Sequence, residues 1–138
     1  MLSVTPYRPE HFEGVRALWE EVFPGDAPWN RAEVAIPEKL AAQPDLFLDA
    51  EDDGAVIGTA MAGYDGHRGW LYTVASRPAM QRKGVGSALI LEAERRLREL
   101  GCTKIHLQIR AGNEAVAAFY RRRGYEIVDR ISMGKRFG

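Results

Sequence analysis

The chain has 138 residues, enough for one compact domain with a core of its own. Its 19 basic and 19 acidic side chains cancel, which argues against nonspecific binding to nucleic acid or to an anionic membrane as the main activity. The single cysteine, Cys102, excludes an intrachain disulfide and a multi-cysteine metal site, and no apolar run approaches the ~20 residues of a membrane-spanning helix. Met1 to Glu10 lacks a basic segment followed by an apolar stretch, so no secretory signal is expected and the cytoplasm is the default location. No metal is expected.

Leu2 to Tyr7 alternates and predicts a first strand. Pro9 to Phe23 carries Phe12, Val15, Leu18, Trp19 and Val22 at helical spacing, and Pro24-Gly25-Asp26 ends it. Asn30 to Ala42 reads as a second helix, with Pro37 either kinking it or opening its main part. Leu46 to Ala50 and Ala55 to Met61 flank Asp52-Asp53-Gly54, a hairpin signature. A polar loop, Tyr64 to Gly69, leads to a strand over Trp70 to Ser76. Gly86 to Leu100 predicts a long helix, with Leu89, Ala93, Leu97 and Leu100 on one stripe and Gly101 as its stop. Lys104 to Arg110 alternates as a strand, Glu114 to Arg123 is a helix closed by Gly124, and Tyr125 to Met133 predicts a last strand. This order implies an α/β fold: one mixed sheet with helices on both faces.

The sharpest local feature is Gln81-Arg82-Lys83-Gly84-Val85-Gly86-Ser87, placed between a strand and the long helix. Helix starts leave N–H groups unpaired and carry partial positive charge, so they hold anions. Gly84 and Gly86 let backbone amides approach a phosphate, and Arg82 and Lys83 add charge. A nucleotide P-loop is excluded because Gly86-Ser87-Ala88 stands where that motif needs Gly-Lys-Ser/Thr. The dinucleotide fingerprint is excluded by Leu89. The competing structural reading is a glycine-softened helix start with solvated basic neighbours.

Pro78 to Gly86 resembles the Gln/Arg-x-x-Gly-x-Gly/Ala motif of the GNAT acyltransferases. Asn113 to Tyr125 resembles that superfamily's second signature, an Asn followed seven residues later by Tyr and then by Gly-aromatic. The order and spacing of the two motifs agree with the family, as does the element order over nearly the whole chain. Val116, Arg82 and Ser76 depart from the usual residues without removing a group the reaction needs. Gly63 to Tyr72, with Trp29-Asn30 upstream, resembles a bacterial single-domain subgroup related to the ribosomal-protein alanine acetyltransferases.

The resemblance implies a single GNAT domain over residues 1–138, with a mostly antiparallel sheet and acetyl-coenzyme A as cosubstrate. Gln81, Arg82, Lys83, Gly84, Val85, Gly86 and Ser87 would hold the pyrophosphate. Backbone groups of Val74, Ala75 and Ser76 would meet the pantetheine arm, Asn113 would hydrogen-bond it, and Tyr120 would stand near the thioester sulfur. The acceptor would be a primary amine of a small or amino-acid-like molecule. The rivals are a peptide N-terminus and a regulatory coenzyme A-binding module without turnover. The resemblance also allows a homodimer paired through the last strand.

Tyr120 is the general-acid candidate, since a phenol is protonated at neutral pH and can donate to a leaving thiolate; the alternative is a core tyrosine. The base stays open between Asp65 and His67, the weaker Glu51 and His106, and a chain of waters. Trp29, in a breaker-rich loop, and Tyr64 are candidates to line an acceptor pocket; Trp19 belongs to an apolar stripe and reads as core. Cys102 reads as a buried thiol, and Arg121-Arg122-Arg123 as a solvated helix end.

Overall fold

A computed structural model describes the backbone of all 138 residues and the side chains of all but Gln81 and Arg82. The chain forms two compact units, Met1–Leu107 and Gln108–Gly138.

The larger unit is built on a five-stranded sheet in sequence order: β1 (Leu2–Pro6), β2 (Phe47–Asp52), β3 (Ala55–Tyr64), β4 (Gly69–Ser76) and β5 (Ile105–Leu107). The first four pair antiparallel and β5 lies parallel to β4. A hairpin joins β2 to β3 through Asp53 and Gly54, both at positive φ (50° and 82°), as the Asp-Gly pair predicts. The parallel step from β4 to β5 needs a crossover, which the long helix α3 (Val85–Glu99) supplies.

Helices cover both faces. On one, α1 (Phe12–Val22) buries Val15, Leu18 and Trp19, and α2 (Ala32–Ala42) buries Ala32, Ile36 and Lys39. All of these but Lys39 join Phe47, Val56, Met61 and Ala75 in a core cluster. Pro37 lies inside α2, which starts at Ala32 and runs through the proline without interruption. On the other face α3 buries Val85, Leu89, Ile90, Ala93 and Leu97. Its approach to the sheet is set by two glycines. A Cβ on Gly58 would meet Val85 Cγ1 at 2.7 Å and Leu89 Cδ1 at 2.9 Å, and one on Gly69 would meet Cys102 Sγ at 2.6 Å. Cys102 is accordingly buried.

The smaller unit holds one helix, α4 (Glu114–Arg121). The expected strand over Tyr125 to Met133 is absent: the backbone there is irregular, with Ile127, Val128, Ile131 and Met133 exposed. Gln108–Gly138 contains no second strand among the described residues, so the alternating pattern has no ladder to join within its unit. The Gln108 side chain hydrogen-bonds the Ser132 hydroxyl. The strand expected over Lys104 to Arg110 is likewise shorter, at Ile105–Leu107.

Because Gly58 and α3 are in contact with no spare room, Gly58→Val is expected to destabilise the fold by about 1–3 kcal/mol, the usual cost of overpacking. Urea unfolding followed by circular dichroism measures it; an unchanged midpoint would mean that α3 can move off the sheet freely.

Candidate functional site

The site begins with an irregularity in β4. Pairing with β5 runs from Gly69↔Ile105 to Leu71↔Leu107 and stops there. On the other edge, Met61 pairs with Tyr72 but Thr59 pairs with Ala75, so Thr73 and Val74 face one β3 residue, Ala60. This is a β-bulge. Thr73 sits in it at φ 50°, a conformation that β-branched residues avoid at a cost of order 1–3 kcal/mol.

A short hydrogen-bond chain supports the bulge from below. Trp19 Nε1 donates to Thr59 Oγ1 at 2.9 Å, and Thr59 Oγ1 donates to the Thr73 carbonyl at 3.4 Å. Trp19 and Thr59 are both buried, so these polar atoms satisfy one another. Trp19 is thus core, as its place on the apolar stripe implied, and also a prop for the bulge. Just after the bulge, Val74 and Ser76 are half-buried and Ala75 is buried.

Beyond β4, a 3₁₀ segment (Pro78–Lys83) ends at Gly84, which adopts φ 80°, ψ 13° and caps α3. That left-handed turn suits glycine, and nothing lies within 4 Å of the place its Cβ would take. The backbone at the head of α3 is therefore approachable. Val85 is not: its side chain is fully buried against β3, so only its main chain faces the turn. Lys83 and Gly84 are exposed, and Gly86 and Ser87 half-buried. The side chains of Gln81 and Arg82, expected in this cradle, lie outside the described residues.

In the smaller unit, the Asn113 side chain caps α4 by accepting from the Val116 N–H at 3.3 Å. Its amide N–H₂ makes no hydrogen bond among the described residues. Tyr120 is buried, edge-on to Phe119 and Tyr125, with ring centroids at 5.2 and 5.5 Å. Burial pushes its phenol up to about 12, against a smaller downward pull from Arg123. It is a proton donor throughout the neutral range.

The other predicted positions sit elsewhere. Asp65 and His67 occupy the turn between β3 and β4, on the exposed tip. Asp65 accepts the N–H groups of Arg68 (2.7 Å) and His67 (2.8 Å), which lower its pKa. Its carboxylate is occupied with holding the turn. Four residue steps of strand take the chain from Gly69 to Thr73, ~13 Å of extended chain. Trp29 lies in a 3₁₀ turn before α2 and is 45% exposed. Tyr64 is half-buried, with its backbone held by Gln43. His106 lies on β5 beside the Trp70 ring. Glu51 belongs to an ionic cluster on β2.

That cluster has no counterpart in the sequence expectations. Asp49, fully buried on the α1 side of β2, lies 2.7 Å from His11 Nδ1, whose Nε2 lies 2.5 Å from Glu51 Oε1. Arg8 reaches Glu51 from outside at 2.8 Å. Burial, then the Glu51 charge, raises the Asp49 carboxyl to about 8, with Arg8 pulling it down. The signal was present in Phe47-Leu48-Asp49: alternation puts Asp49 on the same inward face as Phe47. Lys39 was legible in the same way, since it follows Ala32 and Ile36 on one helical stripe.

The model of the Acetyltransferase (GNAT) family matches residues 12–125. This chain belongs to the GNAT acetyltransferase family. It is thereby an acetyl-transferring enzyme. An acetyltransferase of Pectobacterium atrosepticum is 43% identical over 137 residues, covering 98% of this chain and 95% of the relative. An acetyltransferase of Yersinia enterocolitica is 39% identical over the same coverage. Among solved structures, the aminoglycoside acetyltransferase AAC(6')-Iy with a bisubstrate analogue gives a TM-score of 0.79 at 21% identity, covering 100% of this chain and 99% of that one. The ribosomal-protein-S18-alanine N-acetyltransferase of Escherichia coli gives 0.74 at 20% identity, covering 90% and 77%. At these identities the structures share the fold.

Between about pH 4 and about pH 8 folded Asp49 holds a proton that the unfolded chain has released. Its contribution to stability is therefore complete at low pH and lost as pH rises through the folded value. Asp49→Asn keeps the shape and removes the titration. The wild type should lose thermal stability relative to this variant from pH 5 to pH 9; parallel Tm profiles would show that Asp49 is ionised throughout.

Proposed function

We propose that the chain transfers an acetyl group from acetyl-coenzyme A directly to a primary amine of a small or amino-acid-like acceptor. The observation that carries this reading is the β4 bulge. It lies past the last β5 pair and leads, through the Gly84 turn, straight into the head of α3. A backbone that turns out of its ladder presents main-chain groups to a bound chain-like ligand, and a helix head presents N–H groups to a phosphate.

In this reading the N–H groups at Lys83, Gly84, Val85, Gly86 and Ser87 hold the pyrophosphate, aided by the Lys83 charge and by Gln81 and Arg82. Val74, Ala75 and Ser76 offer their backbone to the pantetheine arm. A bulge N–H donates to the thioester oxygen, where negative charge grows as the amine attacks. Asn113 contributes its free amide N–H₂ to the arm. The cosubstrate supplies an activated acyl carbon. The amine nitrogen forms the new bond to that carbon, the carbon–sulfur bond breaks, and the departing sulfur takes the Tyr120 proton. The proton lost by the nitrogen leaves through water, since Asp65 is engaged in its turn. The family match crosses both compact units, which supports one working domain over residues 1–138.

Two experiments test this. Acetyl-coenzyme A titrated calorimetrically should bind the wild type and bind Gly84→Glu at least about tenfold more weakly, because the new side chain adds negative charge in a left-handed position. No binding to the wild type would remove acetyl-coenzyme A from the reading. Tyr120→Phe should lower kcat by about 10²-fold or more in a thiol-release assay while leaving cofactor binding intact. Unchanged turnover would return Tyr120 to a packing role.

A further inference from the structure

A second polar feature of the α1/α2 face is the side chain of Lys39. It is buried at 6% exposure, on the stripe that α2 turns to the sheet. A lysine in that position ordinarily runs its stem along the apolar surface and keeps its ammonium in water. Here the ammonium turns inward. It donates to the Ala62 carbonyl and, at 2.7 Å, to the Tyr72 hydroxyl, and stands 5.1 Å from the Tyr72 ring centre. Its pKa is lowered to about 8 by burial alone, with no acid's field opposing the shift. Among the described residues no carboxylate pairs with it. At neutral pH this is a buried positive charge without a counter-ion, an arrangement that costs free energy until an anion arrives.

The surroundings hold it rigidly, and its partner Tyr72 carries the pair to the surface. Tyr72 is 42% exposed. Its oxygen accepts from Lys39, so its own proton is left to donate outward, backed by a cation. Gly63 lies beside it: a Cβ there would sit 3.5 Å from Tyr72 Cε1 and 3.6 Å from its hydroxyl. Gln43, one turn along α2, grips the Tyr64 backbone from both sides, its amide donating to the carbonyl at 3.0 Å and its oxygen accepting the N–H at 3.1 Å. The end of α2 is thus pinned to the sheet. Tyr72 is also the residue before Thr73, so the anchor begins where the bulge begins.

We infer that Lys39 and Tyr72 form the acceptor's carboxylate anchor, and that the acceptors are small amines carrying a carboxylate several bonds from the reacting nitrogen. The separation follows from the tyrosine: its hydroxyl stands the full length of the side chain away from the backbone that leads into the bulge. An α-carboxylate next to the nitrogen would not reach both. The inference rests on the acetyl-transfer reading for where the amine reacts, but the anchor itself is a binding site that exists with or without turnover.

The test is therefore a binding measurement. 5-Aminopentanoate and pentylamine, which differ in a terminal carboxylate against a methyl group, are titrated into the full chain with and without coenzyme A. 5-Aminopentanoate should bind the wild type at least about tenfold more tightly than pentylamine. Lys39→Met, which keeps the length of the stem, and Tyr72→Phe should each bring the two ligands close together while the affinity for coenzyme A is unchanged. Lys39→Gln is read in the same way should Lys39→Met fail to fold. Equal or absent binding of both ligands to the wild type overturns the inference, as does a carboxylate preference that survives in the Lys39 variants. A preference that holds in protein that neither binds coenzyme A nor releases thiol keeps the anchor and discards acetyl transfer. Thiol release without the preference does the reverse.

Discussion

The constraint on which the rest depends is the bulge in β4. A strand that paired regularly on both edges would have its N–H and C=O groups spent on its neighbours. By inserting one residue opposite Ala60 and leaving β5 after Leu71, β4 turns part of its backbone out of the ladder. The cost appears as a threonine at positive φ, and the restraint appears as two buried hydrogen bonds from Trp19 through Thr59. Removing that support would free the strand to slip back into register. Helix α1 thus has a part in the site although it contributes no exposed group to it.

The two faces of the sheet are packed for different ends. On the α3 face the contacts are apolar and tight, with glycines at 58 and 69 admitting Val85, Leu89 and Cys102 so closely that no side chain fits. This fixes where the head of α3, and with it the Gly84 turn, stands relative to β4. The α1/α2 face instead buries ionisable groups: Asp49 against His11, whose other nitrogen meets Glu51, near β1, and Lys39 under Tyr72 near β4. Buried charges add little net stability compared with apolar side chains of the same size. Among the described residues the buried Asp, His and Lys side chains lie on this one face, the face that carries the prop of the bulge, which marks it as shaped by something other than folding.

Much of this was legible in the residues. The Asp53-Gly54 hairpin, the α1 stripe and the long helix after Gly84 follow from local chemistry and stand where spacing put them, except that Leu100, read as the last residue of the α3 stripe, is exposed just past the helix end. The head of α3 was readable because glycine at a helix start has few other uses. What could not be read depended on distant partners. Nothing local announces that Thr73 is left-handed, because the cause is a register mismatch between two strands. Tyr125 to Met133 alternates as a strand should, yet alternation states only that a strand would suit the side chains, and a ladder needs a neighbour. Asp65 and His67 looked like catalytic groups because they are ionisable and near a strand. The turn uses the Asp65 oxygen for two backbone N–H groups, a role that Asp plays in many tight turns.

The proton inventory of the chain leads to an asymmetric mechanism. Tyr120, buried and raised to about 12, keeps its proton throughout the neutral range, so in the proposed reaction it can stand as a hydrogen-bond or proton donor to the leaving sulfur and cannot serve as the base that the amine needs. Asp65 is lowered and held, and Asp49 is enclosed on β2, two strands away from β4 in the order of the sheet. No side chain of the larger unit that the structure describes at the bulge is a carboxylate or an imidazole. In the proposed reaction the amine then reaches the site already neutral or loses its proton to water. The carboxylate anchor inferred for Lys39 gives a reason for a lysine in the sheet-facing stripe of α2 that no carboxylate pairs with among the described residues, where an apolar residue would have packed at less cost.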